Sequence, residues 1–110
     1  MSVVTTQAVK KYLNDLVAIL YQKEYFGFEE SALEYVDDLL DDIIVRLPHR
    51  PHKPAPPYFD RYGKKMYYAS FVKNKQTTWY AFFTKYNSNG EVIYLIRYIT
   101  NSHVAAQHFS

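Results

Sequence analysis

An α+β fold, with an N-terminal helical hairpin packed on a small antiparallel sheet, is what this 110-residue sequence predicts. Three observations lead there. Apolar residues recur at helical spacing through the first 47 positions, and all five prolines fall between 48 and 57. From Tyr58 onward the chain turns to aromatic and β-branched runs separated by turn signals, the composition of strands. A chain of this length builds about one domain. The predicted division is a hairpin over about 6–47, a link over 48–57, a sheet over about 58–100 and a tail over 101–110.

In the first helix, Val9, Leu13, Leu16, Val17 and Leu20 form one apolar stripe between Gln7 and about Gln22, and Thr5 or Thr6 is placed to cap its free amides. EYFGF, at 24–28, interrupts that stripe. Gly27 supplies the permissive backbone of a turn, and Phe26 and Phe28 are expected to pin the turn to the core. EESALEYVDDLLDDIIVRL, at 29–47, sets Ala32, Val36, Leu39, Leu40, Ile43 and Leu47 on one side and most of its acids elsewhere. Glu29 and Glu30 suit the positive N-terminal end of that helix. The two helices are expected to meet the sheet through Leu13, Leu16, Leu39 and Ile43. Asp38 and Asp42, four residues apart, share a helix side as paired metal carboxylates would, but no phosphate-binding loop accompanies them. They read as a solvated acidic face, and no metal or cofactor is expected.

In PHRPHKPAPP, Pro48, Pro51, Pro54 and Pro57 keep a spacing of three, which would line one edge of a polyproline II helix. The run matches PxxPx[KR], a common adaptor-ligand pattern, but it reads first as a stiff connector displaying Arg50, His52 and Lys53.

KMYYASFV (65–72), TTWYAFFTKY (77–86) and EVIYLIRYIT (91–100) are the predicted strands, joined by KNKQ and NSNG. Asn89-Gly90 can take the positive φ values of a type I′ turn, so the last two strands should be antiparallel neighbours. Eight of the twelve tyrosines lie between Tyr58 and Tyr98, with aromatics at both parities of the strands. One sheet face can therefore cover the helices, and the other needs a further use.

Charge divides along the same boundary. Residues 1–47 carry nine acids and four bases, −5, whereas residues 48–110 carry nine bases and two acids, +7. The second half would face an acidic or polyanionic partner. Arg61, Lys64, Lys65, Lys73, Lys75 and Trp79, interleaving cations with aromatic rings, suit a single-stranded nucleic-acid surface on which bases stack and phosphates are neutralised, although Trp79 taken alone reads first as a core residue. The absence of cysteine excludes disulfides, thiolate nucleophiles and cysteine metal sites. No leader pattern and no 18-residue apolar run is present, so a soluble, cytoplasmic chain with no membrane partner is expected.

The order of elements resembles the RelE/ParE toxin superfamily of bacterial toxin-antitoxin systems: a short leading segment at Ser2–Thr5, a helical hairpin, a basic proline-containing link, a meander and a histidine-bearing C-terminus. The local points of likeness are FDRYGKKMYYASF, TTWYAFF and VIYLIRYITNSH. The resemblance implies a growth-inhibiting toxin held by a cognate antitoxin. RelE-like members act on the ribosome as metal-free mRNA endoribonucleases, and ParE-like members poison DNA gyrase. A catalytically degenerate member would only bind its antitoxin and regulate. On the nuclease pattern Lys64 and Lys65 match the basic residues entering the sheet, His103 the basic position after the last strand, and His108 or Phe109 the terminal position. TTWYAFF carries Trp79-Tyr80 where the pattern has an arginine, which leaves Lys65 or Arg97 to supply the cation for the phosphate. His103 and His108 are then the candidates for acid and base. His103 is expected to matter more, because His108 lies next to a fraying end; its alternative reading is a turn residue following Asn101 and Ser102.

Overall fold

A computed structural model describes residues 1–23 and 27–109. Phe26, expected to pin the hairpin turn, lies outside the described residues. Strand β1 (Ser2–Thr5) leads into α1 (Gln7–Gln22) and α2 (Glu29–Arg46), followed by β2 (Lys53–Pro54), β3 (Tyr67–Asn74), β4 (Thr77–Ser88), β5 (Glu91–Asn101) and a one-turn helix α3 (Ser102–Ala105). Three short 3-10 turns occupy Leu47–His49, Pro57–Tyr62 and Ala106–His108. The fold is thus α+β, as expected.

The sheet departs from the expectation. It has five strands in the order β1-β5-β4-β3-β2 and is mixed: β1 runs parallel to β5, with Ser2 opposite Ile93 and Thr5 opposite Ile96. The β-branched run VVTT takes this edge because β5 offers a free ladder there, and a strand therefore precedes the helical hairpin. The amide of Thr6 continues the pairing to the Ile96 carbonyl, and its hydroxyl accepts from the Val9 amide, capping α1.

The proline link is not one continuous polyproline edge. Pro48 sits in the turn at the end of α2, Pro54 pairs with Tyr67 on an edge strand, and Pro57 opens the second 3-10 turn. Each is a place where a missing N–H costs little. Arg50 folds back and donates from Nε and Nη2 to the Ser70 carbonyl at 3.1 and 2.9 Å, covering part of the β3 edge beyond β2. The β4–β5 hairpin turns at Asn89-Gly90, with φ of 52° and 81°, as a type I′ connection requires.

Both helices cover one sheet face. Val9, Leu13 and Leu16 of α1 and Val36, Leu39 and Ile43 of α2 enclose Ala69, Phe71, Trp79, Ala81, Phe83, Tyr94, Ile96 and Ile99. Leu39 is fully buried, so Leu39→Ala is expected to cost about 2–5 kcal/mol in urea denaturation. A loss below about 1 kcal/mol would contradict this helix phase.

Strand β5 changes phase midway. The register passes from Tyr98 opposite Phe82 to Ile96 opposite Phe83, leaving Arg97 as a bulge. Tyr94 and Ile96 therefore face the helices before it, and Ile99 does so after it. Arg97 joins the opposite face. That face holds a second core of Phe59, Met66, Phe82 and Ala105, packed around by Tyr58, Tyr62, Tyr68, Tyr80, Tyr98 and Phe109. The Pro57–Tyr62 turn and the C-terminal tail thus cover much of the sheet surface that the sequence assigned to nucleobases.

Candidate nucleic-acid interface

Arg97 is the only charge in VIYLIRYIT, and the bulge determines where it goes. Its Nε donates to the Thr84 hydroxyl at 3.2 Å, and its Nη2 reaches the Tyr86 hydroxyl at 3.5 Å. Thr84 and Tyr86 share the β4 face opposite the helices. None of the ion pairs among the described residues involves Arg97. A half-buried guanidinium held on two hydroxyls, with no carboxylate to neutralise it, keeps its charge available to an anion.

Gly63 lets a basic turn approach this cation. A Cβ there would stand 2.9 Å from both Arg97 Cδ and Met66 Sδ, so a larger residue would require those side chains or the turn to shift. Lys64 and Lys65 follow immediately and are exposed, Lys65 with a φ of 56° that turns the chain into β3. Arg61 precedes it. The Arg61 guanidinium lies 4.0 Å from the Tyr58 ring centroid, and His108 stacks on Tyr58 at 3.5 Å with the rings 6° apart. Two groups that close occupy opposite faces of one ring, so Tyr58 is clamped between a base on the 57–62 turn and a histidine on the tail.

A set of phenols lies behind this surface. Tyr62 stacks on Tyr98 at 3.7 Å with the rings 4° apart. The Tyr98 phenol beside it raises the Tyr62 pKa, with desolvation second, while Tyr58 works the other way. On α1, burial, aided by the nearby Tyr98, pushes Tyr12 up to about 12. Its neutral form is favoured in the fold, so its contribution is constant below about pH 10 and is lost as pH rises from about 10 to about 12, where the unfolded chain ionises first. Alkaline denaturation of Tyr12→Phe is expected to show a weaker pH dependence across that window, followed by tyrosinate absorbance. An unchanged slope would contradict the assignment.

The sequence-derived candidates separate into two groups. Arg97 and the turn that carries Lys64 and Lys65 meet on the face opposite the helices, and Arg61 and His108 lie on the same face, on either side of the Tyr58 ring. His103, Lys73 and Lys75 lie at the other end, around the β3–β4 hairpin. His103 Nε2 is 2.9 Å from the Thr77 hydroxyl, whereas Arg97 is held on Thr84. Those threonines are seven residues apart on one strand, about 23 Å at roughly 3.3 Å per residue. One phosphate cannot be served by both. The reading of His103 and Arg97 as parts of one centre is therefore corrected: Asn101 Oδ1 accepts the His103 and Val104 amides, making Asn101 the cap of α3 and His103 a residue of its first turn.

Trp79 takes the core position and not that of a stacking platform, which removes it from the nucleic-acid surface. It is 2% exposed, inside the helix-side core, and its indole N–H donates to the Tyr35 hydroxyl at 2.9 Å. Lys73 is likewise drawn to the helix side, 5.6 Å from the Tyr35 ring centroid, and Lys75 projects from the hairpin tip. His108 does not fray: besides Tyr58 it meets Phe59 edge-on, and the next residue, Phe109, packs on Tyr68, Tyr80 and Phe82. Tyr86 is the ring that the sequence reading missed. It is 44% exposed and sits beside Arg97, where a base can stack while its phosphate meets the guanidinium. The signal was its parity with Thr84 and its place opposite the stretch that contains the lone arginine.

No helix among the described residues is long and apolar enough to cross a membrane. Compared with known proteins, the chain matches no family model, and neither a curated protein nor a solved structure is significantly similar to it.

Proposed function

We propose that this chain is the toxin of a type II toxin-antitoxin pair, a RelE/ParE-like protein that acts in the cytoplasm on ribosome-bound mRNA and cleaves it without a metal. The observation that carries the reading is Arg97, a cation without a carboxylate beside the exposed Tyr86 and the Lys64-Lys65 turn. Metal-free cleavage requires a base for the 2′-hydroxyl proton, an acid for the 5′-oxygen and cations for the extra phosphoryl charge. Arg97 supplies the charge, Lys64 and Lys65 position the backbone, and Tyr86 stacks a base. His108, on the same sheet face, takes the 2′-hydroxyl proton as base, water protonates the leaving 5′-oxygen, and His103 does not take part.

His108→Ala is expected to lower cleavage by about 10² to 10⁴ and to remove a limb of the pH–rate profile, the usual effect of losing a general acid or base. His103→Ala should stay near wild type. The reverse ranking would move the site to the hairpin end.

One observation favours a second reading. Histidine His103, which the nuclease pattern places at the end of the last strand, is remote from Arg97. A gyrase-directed toxin, or a degenerate protein that only binds its antitoxin and regulates, needs no such acid or base. The deciding experiment incubates purified protein with programmed ribosomes and, in parallel, with gyrase and relaxed plasmid. Cut mRNA with unaffected supercoiling supports the leading reading; intact mRNA overturns it, and inhibited supercoiling then assigns the gyrase-directed role.

A further inference from the structure

The outer side of the helical hairpin carries a groove that the RNA reading does not use. Helices α1 and α2 are joined by a short connection and pack antiparallel, so two rows at helical spacing face each other. Lys10, Asn14, Val17 and Tyr21 form one row, and Leu40, Asp37, Leu33 and Glu30 form the other. Two adjoining hollows between them share Asn14, Val17 and Leu33, which makes one continuous groove along the hairpin. From Lys10 to Tyr21 it runs about 17 Å, or three helical turns.

Its floor is apolar and its rim is acidic. Leu13 and Val36 form the deepest part, Val17 and Leu40 are half-buried, and Leu33 and Phe28 are 48% and 73% exposed. The rim carries Glu29, Glu30 and Asp37 against the single base Lys10, and none of these acids takes part in the ion pairs found among the described residues. Such a floor selects a helix with apolar residues at i, i+3, i+4 and i+7, and such a rim selects cations at that helix's flanks.

We propose that this groove docks an amphipathic helix of a partner protein, apolar on its inner side and bearing lysine or arginine on its flanks. The site is independent of the Arg97 surface, which lies across the sheet and has the opposite charge. A ligand attracted to Arg97, Lys64 and Lys65 is repelled at the groove, so the two sites select opposite partners.

The test titrates the full chain with a labelled helical peptide of about 14 residues that carries a leucine stripe and lysine flanks. A twin has glutamate flanks, and a second twin has a central proline. The lysine peptide is expected to bind saturably and more weakly at high salt, and both twins to bind at least about tenfold less tightly. Leu33→Asp and Asp37→Lys should each weaken binding by a similar factor, whereas Val45→Asp, on an exposed α2 position outside the groove, should not. All three side chains to be changed face water, and circular dichroism verifies the fold of each variant. Absence of saturable binding, equal binding of the glutamate twin, or equal losses from Val45→Asp and Leu33→Asp would overturn the proposal. Self-association abolished by Leu33→Asp would overturn it in favour of a second copy of this chain.

Discussion

Arg97→Ala is expected to reduce mRNA cleavage on programmed ribosomes by about 10² to 10³, the effect of removing one preorganised group that stabilises transition-state charge. Stability should change little by comparison, because Arg97 is a bulge residue outside both buried clusters. Arg97→Lys keeps the charge but cannot reproduce the Nε and Nη2 bonds to Thr84 and Tyr86, so it should recover only part of the rate. Single-turnover rates with each variant, measured beside its thermal unfolding, separate the two effects. Full activity in Arg97→Ala would remove the bulge from the mechanism.

Phe59→Ala is the largest expected loss of stability, about 3–5 kcal/mol for a large aromatic side chain removed from a full core. Phe59 has no exposed surface, stacks on Phe82 at 4.3 Å and touches Tyr98 and Phe109. Its removal opens the second core and loosens the Pro57–Tyr62 turn and the tail together, which also displaces Arg61 and His108 from their places on Tyr58. Chemical denaturation gives the magnitude, and hydrogen exchange at Ala105 to His108 gives the place. A loss near zero with an undisturbed tail would mean that the second face is not a packed layer.

The sequence made the helix-side layer legible because its signals are local and periodic. Leu13, Leu16, Leu39 and Ile43 repeat at 3.6-residue spacing, and Asn89-Gly90 marks a turn by its own backbone preference. The parallel pairing of β1 with β5 was not legible, since a four-residue run of SVVT carries no record of a partner about ninety positions away. The bulge was hidden for a related reason. In VIYLIRYIT residues of both parities are apolar, so nothing marks the change of face at Arg97. That change places Arg97 on the same side as the Lys64-Lys65 turn and leaves His103 with Thr77 at the far end. Trp79 left the nucleic-acid surface because its parity put it under the helices, and His108 gained a fixed place because Phe109 anchors a tail that composition alone made look free. The charge asymmetry was readable throughout, but only the fold shows that Lys73 and Lys75 stand apart from Lys64 and Lys65.

An RNA phosphate is expected to meet this chain at Arg97, beside Tyr86 and the Lys64-Lys65 turn. A two-dimensional nitrogen–proton NMR titration of the labelled protein with a short single-stranded RNA, following the Arg97 Nε–H and the amides of Lys64, Lys65, Tyr86 and His103, tests it directly. Saturable, salt-sensitive shifts at Arg97, Lys64, Lys65 and Tyr86 with His103 unmoved are the predicted result. Shifts confined to His103 and the Lys73–Lys75 hairpin, with Arg97 unmoved, would contradict it.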